Sequence, residues 1–133
     1  MVCEAIRDFL RDCIDSFESL EVLLLLYRER TAWTADELCR RFKIRAPVID
    51  DALASLVRAR LVSTTEQNVL TSYKYADEDL VRDALVASLE RTYRDEPIQV
   101  MQLMSANAIE RLRSGAIRAF ADAFVFRNDK GRG

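Results

Sequence analysis

Residues 34 to 62 read TADELCRRFKIRAPVIDDALASLVRARLV, and the fold turns on how this stretch is divided. Thr34-Ala35-Asp36-Glu37 matches the S/T-x-x-E capping box, in which a threonine hydroxyl and a glutamate three residues on satisfy each other's free backbone N–H groups. A helix is therefore expected from Ala35 to about Phe42, with Leu38 and Phe42 turned inward. Lys43-Ile44-Arg45 is then a tight connection. Pro47 stands where a first helical position would be, because its missing N–H costs nothing there, and a second helix continues to about Arg60. Placed at ~100° per residue, Val48, Ile49, Ala52, Leu53, Leu56, Val57 and Ala59 gather on one side of it, and Pro47, Asp50, Asp51, Ala54, Ser55 and Arg58 on the other.

Upstream, Thr31-Ala32-Trp33 is too short and too β-favouring for another helix, so Ala32-Trp33 reads as a short strand with Trp33 in a structural role. Ser16 offers an N-cap for a helix from Phe17 to Arg30 whose centre, Leu20 to Leu26, is apolar almost all round, as only a sandwiched helix is. Before it, Ile6, Phe9, Leu10, Cys13, Ile14 and Phe17 recur at helical spacing. Downstream, Leu61 to Thr65 and Val69 to Tyr75 are rich in Val, Thr and Tyr and flank a polar Glu66-Gln67-Asn68 break, which predicts a β-hairpin. Asp77 is the expected cap of a helix to about Tyr93, with Leu80, Val81, Ala84, Leu85 and Leu89 as its apolar stripe. Pro97 either kinks that helix or opens a new one. Beyond it, Ile98, Val100, Met101, Leu103 and Met104 give a helix with apolar residues on several sides, and Ile117, Phe120, Phe124 and Phe126 form a late aromatic group.

The order of helix, short strand, capped helix, tight turn, second helix ending in ArgAlaArgLeuVal, and hairpin resembles the winged helix-turn-helix of bacterial regulators such as the MarR and PadR families. The matching pattern, TAxELxxxF…I…xVxxxLxxLxxxxLV over Thr34 to Val62, covers about a third of the chain and consists mainly of core positions. The flanking LEVLLLL (Leu20 to Leu26) and IRAFADAF (Ile117 to Phe124) are similar to segments of bacterial winged-helix proteins of no assigned activity. The resemblance implies a mostly α fold: a winged helix-turn-helix with N-terminal helices, a small β-hairpin wing and a C-terminal helical extension. The expected organisation is a winged-helix domain over 1–76, a helical extension for dimerisation over 77–127 and a frayed tail over 128–133.

Composition bounds the chemistry. The chain has 133 residues, half of them apolar and 32% charged, with three glycines and two prolines, a balance that suits long helices. Cys3, Cys13 and Cys39 are odd in number and lack CxxC spacing, so neither a disulfide framework nor a metal site is expected. There is no histidine, which removes the commonest general base, the commonest metal ligand and every Ser-His or Cys-His nucleophile. No GxGxxG, P-loop or GxSxG is present. We expect no enzyme and no cofactor. The first fifteen residues interleave charges with apolar residues instead of running basic then apolar, and the longest strongly apolar run, Val22 to Tyr27, is far short of a bilayer span. A cytoplasmic protein without membrane contact is the expectation.

Charge is distributed unevenly. Residues 28 to 60 carry eight Arg/Lys against five acids, a local +3, inside a chain of net charge −2. Such a concentration on the helix-turn-helix is what contact with DNA phosphates requires. The resemblance makes double-stranded DNA the expected partner and a DNA-binding transcriptional regulator the expected function. Arg40, Arg41, Lys43 and Arg45 are the phosphate candidates, Ser55 and Arg58 the candidates for base edges, and Gln67 and Asn68 the candidates at the wing. Asp50 and Asp51, in the first turns of the second helix, and Glu66, with no Arg or Lys between Thr64 and Asn68, oppose phosphate. They keep open the alternative of a winged-helix protein-protein interaction module. The excess of apolar residues at Ile98, Met101, Met104, Phe120 and Phe124 predicts a homodimer seam, with an effector pocket as the other use of Met101, Met104, Phe120 and Phe124.

Overall fold

The leucine-rich segment forms α2 (Phe17–Glu29), with Ser16 accepting the Ser19 N–H at 3.0 Å as its N-cap. Leu20, Val22, Leu23, Leu24, Leu25 and Leu26 are all buried, so the middle of α2 is covered around most of its circumference. The computed structural model describes residues 2–131, with side chains as far as residue 121. The side chains of Phe124 and Phe126, and residues 132–133 of the expected frayed tail, fall outside what is described; the backbone of residues 128–131 continues the last helix.

The remaining elements are arranged to cover α2. In chain order they are α1 (Glu4–Cys13), β1 (Trp33–Thr34), α3 (Ala35–Phe42), α4 (Ala46–Arg58), β2 (Val62–Gln67), β3 (Leu70–Tyr75), α5 (Leu80–Asp95) and α6 (Pro97–Gly131). α4, β3 and α5 pack directly on α2, while α1 packs on α5 and α6. Ile6, Phe9 and Leu10 are the buried stripe of α1, and Ile49, Ala52, Leu53 and Leu56 that of α4. The three strands form one antiparallel sheet in the order β1-β3-β2, with Trp33 opposite Tyr73 and Val62 opposite Tyr75. Trp33 is half-buried against the core and its Nε1–H donates to Thr31 Oγ1 at 3.2 Å.

The capping box at Thr34 is complete. Thr34 N–H donates to Glu37 Oε1 at 3.0 Å and Glu37 N–H to Thr34 Oγ1 at 3.2 Å. At the other helix ends this glycine-poor chain uses cations: Arg30, Lys43 and Arg60 all adopt left-handed φ values, 57°, 57° and 63°. The Ile44 N–H reaches Cys39 O at 3.2 Å and the Leu61 N–H reaches Leu56 O at 3.0 Å. These are the six-to-one bonds of Schellman ends. A cation there favours the helix dipole, which offsets part of the cost of the backbone conformation.

Arg30 is also a joint. Its guanidinium lies 4.6 Å from the Tyr27 ring centroid and 4.8 Å from that of Tyr75, with Asp77 and Asp83 each at 3.6 Å. The Tyr75 hydroxyl donates to Asp83 at 2.8 Å, and burial followed by that carboxylate raises its pKa, so it remains a donor. One cluster thus ties the end of α2, the last residue of the wing and the first turns of α5. On the far side, Arg111 of α6 donates to Ile14 O at 2.9 Å and Asp15 O at 2.8 Å, closing the end of α1.

Several expectations need correction. The cap of α5 is Asp79, whose carboxylate accepts from Val81 and Arg82 N–H; Asp77 pairs with Arg30 instead. Leu80 and Val81 are 81% and 72% exposed, and the buried residues of α5 are Val86 and Leu89. Periodicity identifies a helical face but not how far along the helix a neighbour covers it. The hairpin turn is Asn68-Val69, so Glu66 and Gln67 belong to β2, not to the break. Of the two outcomes left open at Pro97 the structure takes the second, which needs no correction: Pro97 opens a new helix after Glu96, whose φ of −134° ends α5. Asp50 and Asp51 lie beyond the first turn of α4, which contains no acid, so the positive end of the helix dipole draws little benefit from them.

We expect Thr34→Ala to lower the unfolding free energy by about 1 kcal/mol, read from urea denaturation, because α3 loses its cap. The backbone hydrogen bond from Thr34 lowers the pKa of Glu37. Its contribution is present above the unfolded-state pKa, about 4.3, and is lost as the pH falls through the lower folded value. The stability difference between wild type and Glu37→Gln should accordingly shrink below about pH 4.

Candidate nucleic-acid interface

The end of α3, the turn and the start of α4 bring Arg40, Arg41, Lys43 and Arg45 to one exposed corner. Their placement is a product of local structure. Arg40 and Arg41 are in the last turn of α3, Lys43 holds the left-handed position that closes it, and Arg45 is the extended residue before α4. Arg41 lies with its guanidinium 5.8 Å from the Phe42 ring centroid. Among the described residues none of these four cations forms a salt bridge, whereas Arg11, Arg28, Arg30, Arg94 and Arg113 are matched by acids. α4 begins without a side-chain cap, so its positive dipole end faces solvent beside Arg45.

The outer face of α4 is narrow. Pro47, Asp50, Asp51, Ala54 and Arg58 are exposed in one stripe along it. Ser55 departs from the sequence reading, because it is only 8% exposed. It sits ~80° from Pro47 around the helix, on the shoulder next to Val48 and Ala52, where neighbouring elements cover it. Arg58 is the polar side chain left on the base-facing candidate stripe, and Asp50 and Asp51 share that stripe with no salt bridge among the described residues.

Gln67 and Asn68 are exposed at the end of the wing. The register places Gln67 opposite Leu70 and Glu66 opposite Thr71, so the alternation of a strand puts Glu66 on the other face of the ribbon from Gln67. Sequence reasoning missed Val69 and Leu70. Val69 is 105% exposed with φ of 88°, and Leu70 is 65% exposed. The sequence signal points the other way, because a β-branched residue after the polar Glu66-Gln67-Asn68 run reads as the first strand residue, whereas Asn-Gly is the common choice for a two-residue loop.

The remaining features point elsewhere. All three cysteines are free, Cys3 exposed and Cys13 and Cys39 half-buried, and burial first of all raises the Cys13 pKa, which disfavours the thiolate. Among the described residues no group of three His, Cys, Asp or Glu is placed to hold a metal, and no helix is long and apolar enough to cross a membrane. Phe17, Met101, Met104 and Ala108 line an open groove of about 440 Å³ with Asp15, Ser16 and Ser105. It gathers Met101 and Met104 as the sequence reading did, but with Phe17 instead of Phe120.

No protein-family model matches the sequence, and no curated protein matches it. Solved structures do share the fold. The DNA complex of MepR from Staphylococcus aureus superposes with a TM-score of 0.55 at 19% identity, covering 84% of this chain and 89% of that one. Reduced HlyU from Vibrio cholerae gives 0.53 at 21% identity, covering 69% of this chain and 90% of that one. The adhesin competence repressor AdcR from Streptococcus pyogenes gives 0.51 at 19% identity, covering 85% and 82%. The chain has the winged helix-turn-helix fold, mostly helical with a small antiparallel wing, and the likeness read from its sequence holds at the level of the fold.

The wing turn yields a stability prediction. A β-branched residue at positive φ costs about 1–3 kcal/mol, and glycine gives back about 0.5–1 through the unfolded chain. Val69→Gly should therefore raise the unfolding free energy by about 1 kcal/mol in urea denaturation.

Proposed function

We propose that this protein is a DNA-binding transcriptional regulator that docks its helix-turn-helix on duplex DNA. The observation that carries the reading is the corner of Arg40, Arg41, Lys43 and Arg45, exposed and without salt-bridge partners among the described residues. Cations without a salt bridge neutralise phosphates without breaking one, and release counterions from the duplex. Arg58 then approaches base edges from the exposed stripe of α4, with Gln67 and Asn68 at the wing. The MepR–DNA complex among its structural neighbours supports the same partner. Acyl transfer, hydride transfer and metal-assisted hydrolysis find no support, and the neighbours with this fold include a transcription regulator and a repressor.

A homodimer belongs to this reading. Ile98, Met101, Ile109 and Leu112 are exposed and fall within a sector of ~80° along α6. That stripe faces away from Val100 and Met104, which are buried in the chain's own core, so Met104 leaves the expected seam and Ile109 and Leu112 join it. A symmetric pairing of two such stripes removes the apolar surface and sets two helix-turn-helix units side by side for a two-fold DNA site. The 77–127 extension is then the dimerisation segment.

One observation favours a second reading. Asp50 and Asp51 stand without a salt bridge, among the described residues, on the α4 stripe that would meet the DNA. There they offer only acceptors and repel phosphate. A basic protein partner is the occupant those two acids would suit.

A salt-titrated binding assay on mixed-sequence duplex DNA separates the two. Wild type should bind at low salt. Arg41→Ala and Arg45→Ala should each weaken binding to all duplexes alike and flatten the log-log salt slope by roughly 0.9, while Asp50→Asn with Asp51→Asn should tighten it. No affinity in either wild type or the asparagine variant gives the function to the protein-interaction reading. For the dimer, light scattering should show two chains per particle in wild type and one in Leu112→Asp, with unchanged helix content because Leu112 is 75% exposed within the chain.

A further inference from the structure

The tip of the wing is built in a way that neither the fold nor the cation corner explains. Asn68 and Val69 form its two-residue turn, with φ of 56° and 88°. Asparagine tolerates that region and glycine is at home in it, but a β-branched side chain is strained there. Nothing inside the protein repays the strain, because Val69 is 105% exposed and its neighbour Leu70 is 65% exposed. Two large apolar side chains are thus held out in water at the end of a ribbon. An observed backbone outlier of this kind points to a use outside the fold.

The chemistry of the tip narrows that use. From residue 63 to residue 73 there is no Lys or Arg, so the tip cannot bind phosphate by charge. Gln67 and Asn68 supply neutral amides, and Glu66 is directed to the opposite face of the ribbon from Gln67 and Leu70 by the β2–β3 register. The tip is also convex and only a few residues wide. A stable protein interface takes about 800 Å² from each partner, far more than these side chains offer. A minor groove about 6 Å wide is closer to the size of a hairpin end.

We propose that Val69 and Leu70 form an apolar wedge that enters the DNA minor groove, with Gln67 and Asn68 donating to its floor, and that the wing thereby selects A·T pairs. This rests on the DNA-binding reading above and adds to it a sequence preference carried by uncharged residues. The minor-groove edge of an A·T pair shows only the adenine N3 and thymine O2 acceptors, which suit amide donors. A G·C pair adds the guanine 2-amino group, which fills the groove floor where the wedge would lie. Apolar side chains are the ones used to press into the minor groove at a base step.

The test uses the full chain and three alternating copolymers, poly(dA-dT), poly(dI-dC) and poly(dG-dC), at low salt. Inosine lacks the 2-amino group, so poly(dI-dC) presents an A·T-like minor groove beneath a G·C-like major groove. Wild type should bind poly(dI-dC) as it binds poly(dA-dT), both about tenfold more tightly than poly(dG-dC). Val69→Gly, which should fold with a higher urea midpoint, should bring the three affinities to within about twofold. Equal binding of wild type to poly(dI-dC) and poly(dG-dC), or a preference that survives in Val69→Gly, overturns the wedge while leaving the DNA-binding reading in place. Absence of binding to all three copolymers overturns both.

Discussion

Six core positions in α2, Leu20 and Val22 to Leu26, make the middle of the helix apolar around most of its circumference, and the rest of the chain is organised by the need to cover them. A helix with one apolar stripe is satisfied by one neighbour; α2 needs α4, β3 and α5 around it. Each fully buried aliphatic side chain gains about 1.5–3 kcal/mol relative to exposure, so leaving any flank of α2 open is more costly than the loop ordering needed to close it. That requirement forces the chain after α2 to turn back sharply. The left-handed Arg30, the short β1 and the capped start of α3 are the means by which it does so.

The same return path sets where charge can go. With α4 packed on α2 and α3 packed on α4, through the buried Leu38, Ile49, Leu53 and Leu56, the connection between α3 and α4 lies at the surface, and its four cations lie there with it. In a chain with three glycines, the turns are made by residues that fit them less well. At Lys43 and Arg60 the helix dipole offsets part of that cost. At Val69 no helix end is present and no contact compensates. The cations at the turns and the valine in the wing are therefore different situations, although both show positive φ.

The Arg30 cluster connects these regions. It joins the last residue of β3 to the first turns of α5 through Tyr75 and Asp83, while Tyr93 of α5 donates to Glu21 of α2 at 2.7 Å. Movement of α5 relative to α2 is thus coupled to the base of the wing by polar contacts, and not by core packing alone. α6 is held at mid-length by Arg111 on the end of α1, which leaves its outer stripe free to meet another surface.

Local decisions were legible in the amino-acid order alone: the caps at Ser16 and Thr34, the burial of α2, the extent of α3 and the hairpin after α4. Each depends on residues within a turn or two of one another, through hydrogen bonds and periodicity that can be read in one dimension. The cation corner was legible for the same reason, since Arg40 to Arg45 lie within six residues of chain. Tertiary structure decided the features that depend on neighbours distant in the chain. Ser55 is buried because elements outside its own helix cover the shoulder of α4, and Leu80 and Val81 are exposed because no element reaches the first turn of α5. Met104 faces inward while Leu112 faces out because α6 meets α1 and α5 on one side only. A helical period specifies which residues share a face; which part of that face is shielded from water is set by the three-dimensional path of the remaining chain.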